Sequence, residues 1–289
     1  MNIQELNDKL KSVGYISSKR INFAVMSAIQ HNRPLILEGA PGSGKTSLAK
    51  AISQAFDLPL KRVQFYEGLT VDKLIYDYNY QKQLLSIEAI KASLENTLKD
   101  KNPEEALKEV SKINFYGEDF LIARPLLESI QSEKRTVLLL DEVDKSSEEI
   151  EYALLEFLED YEISIPELGT VSAVNPPIVI ITSNNYRELS EPLKRRCSYL
   201  YINDKTAEEN EEIILQKTNV NPEVARFVAT ALDKFKDAYL KQQPSIAEAI
   251  TWAEALVNNM VEDTLHLVAK NKKDRQTIER LLVDMPLNK

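Results

Sequence analysis

Five short hydrophobic segments, rich in β-branched residues, are spaced along the first two-thirds of the chain. Their hydrophobic positions run on continuously instead of alternating with polar ones, which is typical of strands buried on both faces. The segments are residues 34–39, 62–66, 136–141, 176–183 and, with a weaker pattern, 198–203. The stretches 45–56 and 147–159 between them repeat apolar residues at helical spacing. Strands that alternate with helices predict an α/β fold with a parallel sheet covered by helices.

Two segments interrupt this alternation. Residues 81–98 repeat apolar positions at helical spacing, and Pro103 starts a second short helical pattern, which together predict a helical insert at about 81–115. A strand-like stretch broken at Gly169 predicts a β-hairpin at about 161–174.

The last third of the chain has a different pattern. Beyond Asn203 no strand signal remains, and helix-start signals recur at Thr206, Asn221 and Ser245. We therefore predict two domains: an α/β domain over residues 1–203 and a helical domain over residues 204–289.

Composition narrows the class of protein. The 289 residues include 45 Asp and Glu against 36 Lys and Arg, a net charge of −9, which disfavours bulk electrostatic binding to nucleic acid. The single cysteine, Cys197, excludes an internal disulfide and suits a reducing compartment. No apolar run has the length of a membrane span, and the first residues have no signal-peptide core. We expect a cytoplasmic protein.

The sequence GAPGSGKT lies where the first predicted strand ends and the first predicted helix of the alternation begins. It fits the phosphate-binding pattern G-x-x-x-x-G-K-[ST] at every fixed position, and its backbone amides and helix N-terminus suit phosphate. Lys45 is expected to reach the β- and γ-phosphates of ATP, and Thr46 to hold Mg²⁺. The alternative is a plain glycine turn between strand and helix. The residues expected around the phosphates are Gly39, Ala40, Pro41, Gly42, Ser43, Gly44, Lys45, Thr46 and Ser47.

A pair of acids ends the strand TVLLLD. A carboxylate at the end of a buried strand is costly unless it meets a cation or hydrogen-bond donors. Asp141 is expected to hold Mg²⁺ and Glu142 to polarise the attacking water. The alternative is that both acids, with Asp144, only solvate a loop, and the phosphate-binding pattern earlier in the chain argues against it.

Further polar residues follow the next strands. Asn184 comes just past a strand end, where its amide could orient the attacking water, although Asn is also common in turns. The stretch PLKRRC then carries Lys194, Arg195 and Arg196 in an otherwise acidic chain. A helix C-terminus accounts for Lys194 through the helix dipole. The two arginines suit a cation that neutralises charge on a transferring phosphoryl group, in trans if the subunits form a ring.

These motifs together resemble the AAA+ ATPases. GAPGSGKT corresponds to Walker A, LLLDE to Walker B, Asn184 to sensor 1 and the sequence RRC to the arginine-finger box of ring-forming members. More narrowly, the chain is similar to the MoxR group, especially its CoxD-like branch. The similar stretches are RVQFYEGLTVDKLIYDYNYQKQLL, the run from Phe120 through ARPLL to PELGT, and TSNNYRELSEPLKRRC, within a match that spans about residues 14 to 257.

The resemblance implies a fold, an activity and partners. The implied fold is a three-layer α/β domain with a five-stranded parallel sheet in the order 5-1-4-3-2 and a helical lid. The implied activity is ATP hydrolysis with Mg²⁺ in a hexameric homo-oligomer. The implied role is that of a chaperone acting with a von Willebrand factor A domain protein to mature, or insert a metal centre into, a client protein. By position, Arg196 is the first choice for the finger and Arg195 the second. The segment Gly14-Tyr15-Ile16 resembles the family's segment over the adenine, and an N-terminal hydrophobic staple is an equal alternative for it.

One residue type departs from the family pattern. Most AAA+ proteins place an arginine, sensor 2, near the start of a lid helix, and here that helix reads QQPSIAEAITWAEAL with no arginine. Either the contact is absent, or Lys241 or Arg226 replaces it. Two other functions stay open at this point: a DNA-directed AAA+ motor of the clamp-loader or branch-migration type, and a slow nucleotide-gated switch.

Overall fold

The computed structural model describes residues 2–98, 117–166 and 168–285. Its strands are β1 Leu35–Glu38, β2 Leu60–Gln64, β3 Tyr76–Tyr78, β4 Leu121–Ala123, β5 Val137–Asp141, β6 Glu162–Ile165, β7 Gly169–Ser172, β8 Ile178–Ser183 and β9 Ser198–Tyr201. Its α-helices are α1 Ile3–Ser12, α2 Lys19–Gln30, α3 Lys45–Ala55, α4 Val71–Ile75, α5 Tyr80–Leu98, α6 Pro125–Gln131, α7 Glu148–Asp160, α8 Glu191–Arg196, α9 Ala207–Lys217, α10 Pro222–Lys236, α11 Ile246–Leu256, α12 Val261–Thr264 and α13 Lys272–Leu282.

The central layer is a five-stranded parallel sheet in the order β2-β5-β8-β1-β9. Counted by their order along the chain, these strands read 2-3-4-1-5, which is the predicted order 5-1-4-3-2 seen from the other edge. The fold class is therefore confirmed. Because the strands are parallel, their carboxyl ends meet at one edge of the sheet, where ligands bind in open α/β sheets.

Two hydrophobic layers cover the sheet because successive side chains of a strand point to opposite faces. Ile36 and Leu138 belong to the cluster that packs under α4 and α6–α8. Leu35 and Leu139 belong to the cluster that packs under α1–α3. Strands β5 and β8 are buried along their whole length and β1 nearly so, which explains why these segments read as continuous apolar runs. The prediction was wrong for residues 62–66: β2 lies at the edge of the sheet, and of its residues only Val63 is buried.

The residues that follow β9 form a helical bundle with its own core, which fits the predicted helical lid. Trp252 and Phe235 are fully buried there, with ring centroids 6.2 Å apart and ring planes at 28°. The indole Nε1 of Trp252 donates to Thr264 Oγ1 at 2.9 Å, so its polar atom is satisfied inside the core.

The two predicted interruptions differ in how much of them the structure describes. Helix α5 covers Tyr80–Leu98, whereas the second short helix predicted near Pro103 lies outside the described residues. Strands β6 and β7 pair antiparallel as a hairpin within the range 161–174. Among the described residues, no helix combines the length and the hydrophobicity needed to cross a bilayer.

We expect Phe235→Ala to lower the free energy of unfolding of the helical bundle by about 3–5 kcal/mol, because it removes a fully buried ring. Trp252 is the single tryptophan and stacks on Phe235, so its fluorescence during urea unfolding reports this region directly. Tyr239→Ala is the matched control, since Tyr239 is 102% exposed. Equal unfolding midpoints for Phe235→Ala and wild type would contradict this account of the core.

Candidate nucleotide site

The loop between β1 and α3 carries the phosphate-binding pattern. Gly44 caps α3 with φ +99°, and Gly42 has φ +81°, a backbone region that glycine adopts at little cost. A Cβ on Gly42 would lie 2.7 Å from Cβ of Ser245, the N-cap residue of α11. The loop is thus shaped both for phosphate and for close contact with the helical bundle.

Lys45, the first residue of α3, folds back into this loop. Its Nζ donates to the carbonyl oxygens of Gly39 and Ala40, both at 2.8 Å. Burial lowers the pKa of Lys45, while the negative charge of Asp144, the largest opposing influence, raises it. A buried cation at a helix N-terminus, next to a glycine-rich loop, is a site for an anion such as a polyphosphate.

Asp141 lies at the end of β5 and is 2% exposed. Its Oδ1 accepts hydrogen bonds from Thr46 Oγ1 at 3.0 Å and from Thr182 Oγ1 at 2.6 Å. A hydroxyl and a carboxylate oxygen next to a phosphate loop are the hard donors that Mg²⁺ prefers. The residues present therefore fit a magnesium ion, with Thr46 and Asp141 as the ones that would hold it.

Glu142 follows Asp141 with a left-handed backbone, φ +61°, a conformation that residues other than glycine adopt uncommonly. Its Oε1 accepts from Asn184 Nδ2 at 3.0 Å. Its Oε2 accepts from Gln64 Nε2 and Lys145 Nζ, both at 2.8 Å. The structure therefore brings the two predicted partners, Glu142 and Asn184, into direct contact.

Asp144 positions the loop that carries Asn184. It is fully buried, and its Oδ2 accepts from the backbone N–H of Asn184 at 2.9 Å and of Tyr186 at 2.8 Å. Sequence reasoning offered loop solvation as the ordinary role for this acid. Burial and two backbone hydrogen bonds give it a structural role instead.

Arg195 and Arg196 end helix α8, on a segment held by a buried ion pair. Arg187 pairs with Glu151, which also accepts from the backbone N–H of Ser190 at 2.8 Å. Arg196 pairs with Glu159 through Nε at 2.9 Å and Nη2 at 2.7 Å. Arg195 is exposed. Within the described part of the chain, no hydrogen bond or ion pair joins either arginine to Glu142 or to the phosphate loop.

Cys197 comes next and lies in the core. Burial raises the pKa of its thiol to about 12, so the thiol stays protonated at neutral pH. In the core, Cys197 therefore acts as a small apolar residue.

The Tyr15-Ile16 segment lies beside the loop. The Tyr15 ring is buried, and a Cβ on Gly44 would lie 3.8 Å from its hydroxyl oxygen. Lys205 Nζ lies 5.8 Å from the ring centroid, and burial lowers the pKa of this lysine. Ile16 is half-buried. The tyrosine thus packs against the phosphate loop.

A cavity of about 170 Å³ lies beside the contact between the loop and the helical bundle and is lined by residues of both. Its lining combines loop residues 40–43 with Lys205, Lys236 and residues 243–246. Neither proposed replacement for sensor 2 belongs to that lining. Arg226 pairs with Glu211 at 3.3 Å on an exposed surface, and Lys241 is exposed.

Sequence reasoning missed several residues of this site, among them Gln64, Lys145, Thr182, Lys205 and Ser245. Gln64 left one signal: with Arg62 it is a polar residue within the strand segment 62–66. The others carry no local signal, because their role depends on contacts between segments far apart in the chain.

Comparison with known proteins agrees with this geometry. The family model described as AAA domain (dynein-related subfamily) matches residues 34–197, which include the loop, Asp141, Glu142, Asn184 and both arginines. The chain belongs to this AAA family of ATPases, which bind and hydrolyse ATP with Mg²⁺.

Individual relatives are distant. The chain is 23% identical over 248 residues to Midasin of Giardia intestinalis, and the match covers 81% of this chain and 4% of that much longer protein. Among solved structures, a mutant of Thermotoga maritima RuvB matches with TM-score 0.47 and 16% identity over 98% of this chain and 70% of that one. The Thermotoga maritima RuvB Holliday junction branch migration motor matches with TM-score 0.44 and 15% identity over 91% and 67%.

We expect Gly42→Ala to weaken ATP binding by about tenfold or more, because the added methyl group collides with Ser245 and must shift the loop. A tenfold loss of affinity corresponds to about 1.4 kcal/mol of binding free energy. Isothermal titration with ATP and Mg²⁺ measures it. Gly68→Ala is the control: Gly68 also has a positive φ, +86°, but a Cβ there would meet nothing within 4 Å. Unchanged ATP affinity in Gly42→Ala would contradict this account of the loop.

Proposed function

We propose that this chain is the motor subunit of a MoxR-type remodelling ATPase that acts as a ring. The contact of 3.0 Å between Asn184 Nδ2 and Glu142 Oε1, beside the phosphate loop, carries the proposal. Because this contact joins an amide and a carboxylate, it supports a site in which both groups bind one attacking water.

Different residues of the site bind the phosphates, the magnesium ion and the adenine of ATP. The backbone of residues 39–44, with Ser47 in the first turn of α3, cradles the phosphates, and Lys45 contacts the β- and γ-phosphates. Thr46 and Asp141 would hold Mg²⁺, which would supply Lewis-acid stabilisation of the negative charge on the phosphate oxygens. Tyr15 and Ile16 cover the adenine.

Hydrolysis then requires water to be oriented and deprotonated. Asn184 orients the water, and Glu142 accepts its proton as the oxygen attacks the γ-phosphorus. The bond between the γ-phosphorus and the bridging oxygen breaks, and ADP leaves with the bond electrons. Asp144 supports this step only by holding the Asn184 loop in place.

Arg196 completes the site of a neighbouring subunit. AAA+ proteins commonly form hexameric rings, and Arg196 lies on a short helix away from the nucleotide loop of its own chain. A guanidinium delivered in trans stabilises charge on the transferring phosphoryl group. Arg195, which is exposed, is the second choice for the same role.

The partners follow from the resemblance to the MoxR group. We propose a von Willebrand factor A domain protein as the partner and a protein client whose maturation, or whose metal or cofactor insertion, the motor assists. Helix α5 supports a client-facing role, because it exposes Tyr80, Leu84, Leu85 and Ile87 at 64%, 61%, 67% and 44%. Exposed apolar patches of this kind commonly mark interaction sites.

Light scattering after gel filtration tests the ring. With a non-hydrolysable ATP analogue and Mg²⁺, we expect a species of six times the 32.9 kDa chain mass. A monomer under those conditions, together with turnover independent of protein concentration, would refute the ring. Turnover that rises with added duplex DNA, instead of with a protein partner, would refute the protein-remodelling role.

A further inference from the structure

Both oxygens of Asp141 are engaged, and one of them is held by a residue to which the motifs assign no role. Oδ1 accepts from Thr46 and Thr182, as described above. Oδ2 accepts from Arg62, through Nε at 3.0 Å and Nη2 at 2.6 Å. Among the described residues, Arg62 is the cation that forms an ion pair with Asp141, and the side chain of Asp141 is 3% exposed.

Arg62 also reaches toward Glu142. Its Nη2 donates to Gln64 Oε1 at 2.5 Å, and Gln64 Nε2 donates to Glu142 Oε2 at 2.8 Å. An arginine can only donate and an ionised glutamate can only accept, so the Gln64 amide has one consistent orientation between them. The side chains of Asp141, Arg62, Gln64 and Glu142 thus form one hydrogen-bonded chain.

The sheet explains how two neighbouring strands produce this chain. Strand β2 pairs in parallel with β5, and Gln64 lies opposite Asp141 in the register. Arg62 and Gln64 are two residues apart, so they share one face of β2, while Val63 points to the other face and packs in the core.

The negative charges at the end of β5 explain why a cation lies beside Asp141. Asp141, Glu142 and Asp144 follow one another at the end of β5, and Asp141 and Asp144 are buried there, so several carboxylates crowd this edge of the sheet. A buried carboxylate needs a cation and donors to offset its lost hydration. The planar guanidinium fixes the rotation of Asp141 and can contact Gln64 at the same time, which a lysine ammonium does less well.

We propose that Arg62 is a positioning residue that orients Asp141 toward Mg²⁺ and, through Gln64, orients Glu142 toward the attacking water. The inference rests on the proposed ATPase function and adds a residue to it. Arg62 acts through the two acids and does not touch the phosphates in this account.

Binding tests the first half of the proposal. We measure the Mg²⁺ concentration that gives half-maximal binding of a non-hydrolysable ATP analogue, and analogue binding in EDTA. Arg62→Met should raise that concentration by about tenfold or more, the usual loss when a residue that orients a metal ligand is removed. Binding in EDTA should stay unchanged, because the loop and Lys45 are intact. Lys61→Met is the matched control: it removes the same charge from the adjacent residue, which pairs with Glu128 at 2.6 Å.

Turnover tests the second half. Arg62→Lys keeps a cation beside Asp141 and should raise the Mg²⁺ requirement less than Arg62→Met does, but its kcat should fall because the bridge to Gln64 is lost. Arg62→Met and Gln64→Leu should be non-additive in kcat, since both break the same chain. Arg62→Lys also keeps the test valid if thermal unfolding shows that Arg62→Met does not fold.

Two results would overturn the inference. An unchanged or lower Mg²⁺ requirement in Arg62→Met would mean that the arginine does not assist the metal site or that it competes with the metal. Additive losses for Arg62→Met and Gln64→Leu would mean that the two residues act separately. A wild-type protein that binds no analogue with Mg²⁺ is a different result, because it refutes the proposed function itself.

Discussion

Glu142→Gln should hold ATP without consuming it. The proton of the attacking water loses its acceptor, so kcat should fall by about 100-fold or more, the range that general-base catalysis supplies. Binding of ATP with Mg²⁺ should be retained, because Lys45, Thr46 and Asp141 are untouched. Phosphate release measures the first effect, and chromatography of nucleotide co-eluting with the protein measures the second.

The hydrogen bonds at Glu142 sharpen this expectation. Its two oxygens accept from Asn184, Gln64 and Lys145. A glutamine offers only one oxygen, so its NH₂ group must face at least one of these donors and displace it. Glu149→Gln is the control, because it removes the same charge from an exposed glutamate on the next helix, α7. Normal turnover in Glu142→Gln would remove Glu142 as the base.

Arg196→Ala should abolish turnover while sparing ATP binding. The loss in kcat should be about 1,000-fold or more, which is the contribution of arginine fingers in related phosphoryl-transfer enzymes. Stability should change little, because the ion pair with Glu159 is partly exposed and such pairs contribute about 0–1 kcal/mol. Arg195→Ala removes the same charge from the adjacent position and is the matched control.

Mixed rings test whether Arg196 acts in trans. An Arg196→Ala subunit keeps Glu142, and a Glu142→Gln subunit keeps Arg196, so their shared interface contains one complete site. Partial recovery of turnover in the mixture is therefore expected. A larger loss in Arg195→Ala than in Arg196→Ala would exchange the two roles.

Much of the fold was predictable because its signals are local. Strand β8 is buried along its whole length and reads as one apolar run. The fifth strand gave a weaker pattern for a physical reason: β9 is the edge of the sheet, and its Tyr199 and Tyr201 are exposed while Leu200 is buried. The first helix of the insert and the missing sensor 2 arginine were also visible as changes in pattern.

The sequence by itself determined the parts whose chemistry depends on neighbours along the chain: the phosphate loop, the acids that end β5, the amide after β8 and the order of strands and helices. Tertiary structure alone decided which distant side chains meet. Arg62 contacts Asp141 and Gln64 contacts Glu142 across 79 and 78 positions of the chain. Gly42 likewise lies against Ser245 of the helical bundle. The reason is that strand register and the docking of the helical bundle come from packing the whole core, which no local pattern records.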